Sequence, residues 1–249
     1  MKRAGQVRRA SRALGMLLGG AIGVTAGAAP PGTSAPAMPA PAMVAPAPPP
    51  RMNLLDVVRP EFRDAVAKCV SKPTIATRAV GEEVVCTVAV YEWLYDHPDR
   101  VALAWQRLKV PSIPITDMGN GKFGWTDEHG SEIVWQTVGT FADGRVWYAS
   151  GKVKASSAAP AIPVQSVVIV TYPRKVEKDG VALFTPSVQA FMHSDSKAAN
   201  LVLRVLGPSV PNVAEQAAGQ LLDFFGGIAA YVQKNPTQAD ELLGPPKKK

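Results

Sequence analysis

Residues 121–153 read GKFGWTDEHGSEIVWQTVGTFADGRVWYASGKV, and the punctuation of this stretch decides the fold. Asn120-Gly121, Asp127 to Gly130 and Asp143-Gly144 each separate apolar or alternating runs, and Asp179-Gly180 repeats the signal further on. Asn-Gly and Asp-Gly tolerate the positive φ of tight hairpins, so four such signals in one region predict an antiparallel meander. The strands between them are Ser131–Phe141, Arg145–Val153, Val164–Tyr172 and Leu183–His193. Side chains alternate across a strand, so Trp147, Ala149, Gly151 and Val153 share one face, opposite Tyr148, Ser150 and Lys152. That is the pattern of a half-buried strand.

The meander runs into residues 212–235, NVAEQAAGQLLDFFGGIAAYVQKN. Asn212 and Glu215 form a capping pair, and Ala214, Ala218, Leu221, Phe225, Ile228 and Val232 repeat at three- and four-residue spacing. A long amphipathic helix with one buried face follows, closed by Asn235-Pro236. Gly219, Gly226 and Gly227 each cost it about 1 kcal/mol against Ala, which points to close packing or a bend. Glu215, Gln216, Gln220 and Asp223 interrupt its apolar character, so it is not expected to span a membrane. Upstream, Leu54 to Val70 has helical spacing interrupted at Pro60, while Thr74–Thr77 and Glu83–Val90 read as strands. Asp96-His97-Pro98-Asp99 opens a further helix with Val101, Ala104, Trp105 and Leu108 on one face. The predicted class is α+β: a curved antiparallel sheet packed against a long C-terminal helix. The space between them is either a core or a cavity.

The two ends distort the composition. Lys2, Arg3, Arg8, Arg9 and Arg12 precede an apolar run to Ala28 that ends Ala26-Gly27-Ala28, so residues 1–28 are expected to be a secretory signal peptide. Residues 29–50, APPGTSAPAMPAPAMVAPAPPP, carry too much proline for helix or sheet and read as a disordered linker. Residues 51–243 form the single predicted domain, and 244–249 a basic tail. The expected location is the periplasm or the extracellular space. The net charge of +7 belongs to these ends: five cations lie in the first segment and three in the tail, leaving about −1 for the domain. A nucleic-acid partner is therefore disfavoured. Cys69 and Cys86 are the only cysteines. In an exported protein such a pair is expected to form a disulfide, worth about 3 kcal/mol by chain entropy, with two buried free thiols as the alternative.

Little in the chain suggests catalysis. Gly119 to Gly124 fits G-x-G-x-x-G but lies in a hairpin rather than between strand and helix, so it reads as a turn. His193 stands two residues before Asp195, a pair that could orient a general base, yet no nucleophile elbow accompanies it. No metal-ligand spacing occurs, and neither a cofactor nor a metal is expected. Large rings are plentiful in the sheet and last helix, where they serve as core or as the wall of an apolar pocket.

The segments YDHPDRVALAW, GKFGWTDEHG, TFADGR and AEQAAGQLLDFFGGIAAYV, in this order of elements, resemble the helix-grip domains of the START and polyketide-cyclase superfamily. The resemblance covers nearly all of residues 51–243 and implies a lipid or other apolar small molecule held between sheet and last helix, without a cofactor. Trp135, Trp147, Tyr172 and Phe225 are the candidate wall. The alternative expectation is a filled core in a non-catalytic structural or interaction module of the cell envelope.

Overall fold

The computed structural model describes residues 53–154, 156–196 and 210–245. The segments read as signal peptide and linker lie outside the described residues, as do residues 246–249 of the tail. The chain begins with α1 (Leu54–Val57), a short 3-10 turn at Pro60–Phe62 and α2 (Arg63–Ser71), so the helical spacing of 54–70 is broken where Pro60 stands. Strands β1 (Ile75–Val80) and β2 (Val84–Thr87) lead to α3 (Val88–Asp96) and α4 (Pro98–Arg107). Then come β3 (Thr116–Asp117), β4 (Lys122–Thr126), β5 (Glu132–Phe141), β6 (Gly144–Val153), β7 (Ile162–Thr171), β8 (Arg174–Val176), β9 (Val181–Phe184) and β10 (Ser187–His193). The chain closes with α5 (Val210–Lys234) and α6 (Ala239–Leu243).

Seven strands form one antiparallel sheet in the order β1-β10-β7-β6-β5-β4-β3, and β2-β9-β8 form a second, smaller one. The fold is α+β, with α5 packed on β1, β2 and β10 and against α3 and α4. Two strand readings need correction. The expected strand Glu83–Val90 stops at Thr87, and Val88, Ala89 and Val90 open α3 instead. They are helical because Tyr91, Leu94 and Tyr95 repeat at three- and four-residue spacing and are all buried. The run Leu183–His193 is two strands in two sheets, divided at Thr185-Pro186, since proline has no N–H to continue a ladder.

The turns bear their sequence signals in different ways. Gly119, Asn120 and Gly121 all have positive φ, as do Asp179 and Gly180, so these are backbone requirements. Gly144 has no positive φ; a Cβ there would run into the Phe141 ring and the Val170 carbonyl oxygen. The glycines of α5 also divide. A Cβ on Gly227 would lie 2.7 Å from the Trp105 ring, and one on Gly226 3.2 Å from Val84, whereas Gly219 has open space within 4 Å.

Apolar side chains cover both faces of the large sheet. The inner face, beneath α5, carries the main cluster; the outer face packs Val138, Val146 and Val167 under Val58, Val66 and Cys69 of the N-terminal segment. Cys86 belongs to the inner cluster and Cys69 to the outer one. Both thiols are free and buried, and the expected disulfide does not form: the two cysteines belong to separate core clusters.

Candidate functional site

Cross-strand register arranges the inner face in rows. One row is Arg145, Val170, Val188 and Ala79; the next is Thr137, Trp147, Val168, Ala190 and Thr77. A third is Phe123, Trp135, Ala149, Ser166, Met192 and Ile75, and a fourth is Trp125, Ile133, Gly151 and Val164. Side chains at neighbouring row positions touch, so the rows describe the surface that α5 and its neighbours must cover.

The first two rows are filled by rings. Tyr91 of α3 stacks on Phe184 of β9 at 4.0 Å between centroids, and Tyr95 stacks on Phe225 at 4.3 Å and on Tyr172 at 5.1 Å. Trp147 meets Phe225 at 5.7 Å. Three of the four sequence candidates, Trp147, Tyr172 and Phe225, therefore belong to one ring cluster: Trp147 packs on Phe225, and Tyr95 joins Tyr172 to both. Such aromatic pairs contribute about 0.5–1.5 kcal/mol each beyond the area they bury. Helix α3, unforeseen in the sequence, supplies the two tyrosines that complete the group.

A polar edge finishes the ring cluster. Arg145 Nη1 donates to the Tyr172 hydroxyl at 2.7 Å, and its Nε donates to Asp96 at 3.2 Å. The Arg145 side chain is 9% exposed while Asp96 is 48% exposed, so a nearly buried cation is neutralised by a carboxylate at the surface. Arg174 extends the edge through an ion pair with Glu92. The Tyr91 and Tyr95 hydroxyls lie 3.4 Å apart. Burial pushes the Tyr172 phenol up to about 12 and raises Tyr91 and Tyr95 above the ordinary value of 10 as well.

The third and fourth rows differ in kind. Trp135, the remaining candidate, lies here with Phe123 at 5.8 Å and with Trp125 and Ile133 in the adjacent row. Across the strand from these large groups stand Ala149, Gly151 and Ser166. Gly151 is demanded by the backbone, because a Cβ would run into the Glu132 carbonyl oxygen. Ala149 and Ser166 have no such requirement and are small by choice of side chain. Trp125 is 4% exposed, and its buried Nε1 has no hydrogen-bond partner. Sequence reading placed Trp125 only as the start of a strand. Counting back from Trp135 by parity across the Asp127–Gly130 turn would have put it on the inner face.

Other polar groups are structural. His193 has Nδ1 2.7 Å from the Lys72 carbonyl oxygen and Nε2 3.0 Å from Asp195, which also receives Lys68 at 2.7 Å. Lys68 and His193 together hold the Asp195 carboxyl below its ordinary value. The expected His–Asp pair forms, and through Lys68 and the Lys72 carbonyl it ties the end of β10 to α2. Outside the sheet, a concavity of about 580 Å³ lies between α4, the end of α5 and α6, with Leu103, Leu108, Tyr231 and Leu242 in its wall. Arg107 at its margin is occupied, donating to the carbonyl oxygens of Glu241, Leu242, Gly244 and Pro245 at the end of α6. Among the described residues no group of three or more His, Cys, Asp or Glu could hold a metal ion. No described helix is long and apolar enough to cross a membrane.

No family model matches the chain, and no curated protein does. Among solved structures it is similar to a conserved protein from Geobacillus kaustophilus, at 11% identity and a TM-score of 0.42, over 64% of this chain and 97% of that one. It is also similar to an uncharacterized protein from Rhizobium leguminosarum, at 11% identity and a TM-score of 0.28, over 61% of this chain and 98% of that one.

Proposed function

We propose that this protein is a non-enzymatic binding domain for an apolar small molecule or lipid, held between the large sheet and α5. The helix-grip resemblance of the START and polyketide-cyclase superfamily belongs to the same proposal. The observation that carries it is the set of large rings, Phe123, Trp125 and Trp135, beside small Ala149 and Ser166 on the inner face. Trp135 pairs across the strand with Ala149, which pairs in turn with Ser166, and Trp125 lies one row on beside Ile133. Binding there would draw on apolar area, at roughly 25 cal/mol per Å² removed from water. Trp147, Tyr172 and Phe225 become the rigid floor behind the ligand, and Trp135 its contact. Export completes the proposal and rests on residues 1–28 alone; N-terminal sequencing of the mature protein is expected to begin after Ala28.

The test is native mass spectrometry of protein purified from its own cells and then exposed to total lipid extract. A retained small-molecule mass is expected. A single apo mass before and after exposure would exclude the binding role. It would favour the second reading, a filled-core interaction module, which is supported by the mutual stacking of Tyr91, Tyr95, Tyr172, Phe184 and Phe225.

A further inference from the structure

We infer that the ligand is a neutral molecule carrying one hydrogen-bond acceptor, a ketone, ester or similar carbonyl, and that the indole N–H of Trp125 is the group that reads it. This rests on the apolar-binding proposal and narrows it. Trp125 projects from the inner face in the row of Ile133, Gly151 and Val164 and is buried, yet its Nε1 has no partner. Indole is a donor only, so an acceptor must come to it. Leaving a buried donor unsatisfied costs about 1–3 kcal/mol, which is why such groups are rare. Trp105 makes the contrast: its Nε1 donates to the Phe224 carbonyl oxygen at 3.0 Å and is fully accounted for.

The neighbours define the rest of the ligand. In the two rows around Trp125 the side chains are Phe123, Trp135, Ala149, Met192, Ile75, Ile133 and Val164, together with Ser166, which already has a partner. None of them is charged. A carboxylate or phosphate brought to Trp125 would find no counterion in these two rows, and burying its charge unpaired costs far more than one hydrogen bond. A neutral carbonyl carries no such penalty.

The experiment measures binding of three probes of one shape, 2-acetylnaphthalene, 2-ethylnaphthalene and 2-naphthoate, to the wild-type chain and to Trp125→Phe. The phenyl ring keeps the apolar packing and removes the donor. In the wild type the ketone and the hydrocarbon are expected to bind, and the carboxylate to bind at least tenfold more weakly than the ketone. The ratio of ketone to hydrocarbon affinity is expected to fall about fivefold to tenfold in Trp125→Phe, the size of one neutral hydrogen bond. An unchanged ratio overturns the assignment of Trp125, and is also the result expected if water alone occupies the indole. Preference for naphthoate overturns the neutral class. Failure of every probe to bind strikes at the binding proposal itself, and this inference falls with it. Should the variant not fold, the indole 15N–1H spectrum of the wild type serves instead. Of the five tryptophans, one Nε1–H resonance is expected to move downfield with the ketone and to stay with the hydrocarbon; none moving differently refutes the assignment.

Discussion

At one end of the inner face, Tyr95, Trp147, Tyr172 and Phe225 hold one another and leave their neighbours nothing to do but close around them. At the other, Trp135 stands across from Ala149 and Trp125 from Ile133, and one indole N–H goes without an acceptor. Both ends belong to one sheet and are buried to a similar degree. The difference lies in whether every large group has its partners inside the chain. A protein interior is normally closed in both senses, by volume and by hydrogen bonding. The ring end meets both conditions, with its phenols finished by Arg145 and by each other. The Trp125 end fails the second, and that makes it the better place to look for something the chain does not contain.

The largest effect should come from removing a ring. Phe225→Ala is expected to cost about 3–5 kcal/mol, read as a lower urea midpoint at unchanged slope, because Tyr95 and Trp147 both lose a face. A loss below about 1 kcal/mol would mean that the ring end is loose too, and the contrast would disappear. Alkaline pH attacks the same end. Its tyrosines have raised pKa values, so the folded state binds more protons than the unfolded chain. The contribution of Tyr172 is complete below about pH 10 and is lost as pH climbs from 10 through about 12. Absorbance at the phenolate band and far-ultraviolet circular dichroism should therefore change together in that interval. Phenolate appearing well before the fold is lost would contradict the packing.

Added bulk compares the two ends directly. Ala182→Leu, fully buried two residues before Phe184, is expected to lose about 1–3 kcal/mol by overpacking. Ala149→Leu is expected to lose less than about 1 kcal/mol while abolishing probe uptake. Equal losses would show both ends to be equally full. The smallest effect concerns the helix above. Gly219→Ala has open space and should raise stability by about 0.5–1 kcal/mol, while Gly227→Ala should lower it by a similar amount against the Trp105 ring. Thermal melts of the two variants moving in the same direction would put the helix in a different seat.

The sequence made the meander and its closing helix readable for a physical reason: turn residues and apolar spacing are local properties. It also showed Trp147, Ala149, Gly151 and Val153 on one face; the structure buries Trp147, Ala149 and Val153 in the main cluster and leaves Gly151 exposed. What it could not resolve depends on partners distant in the chain. Val88 and Val90 look like strand residues until Tyr91 and Tyr95 find Phe184 and Phe225. Leu183 to His193 reads as one strand until Pro186 sends its halves to different sheets. Cys69 and Cys86 look like a pair because counting cysteines carries no information about which side of a sheet each will occupy. The four candidate residues were all inward-facing and buried, but periodicity could not tell which were already in each other's company.

Cys69 and Cys86 give the molecule two clocks. Burial holds both thiols up at about 11, so neither reacts until its own covering lifts. Alkylation followed by mass spectrometry then times each side separately. A faster Cys69 would mean that the N-terminal helices peel away while α5 stays seated. Identical rates would mean that the sheet surrenders both coverings in a single event.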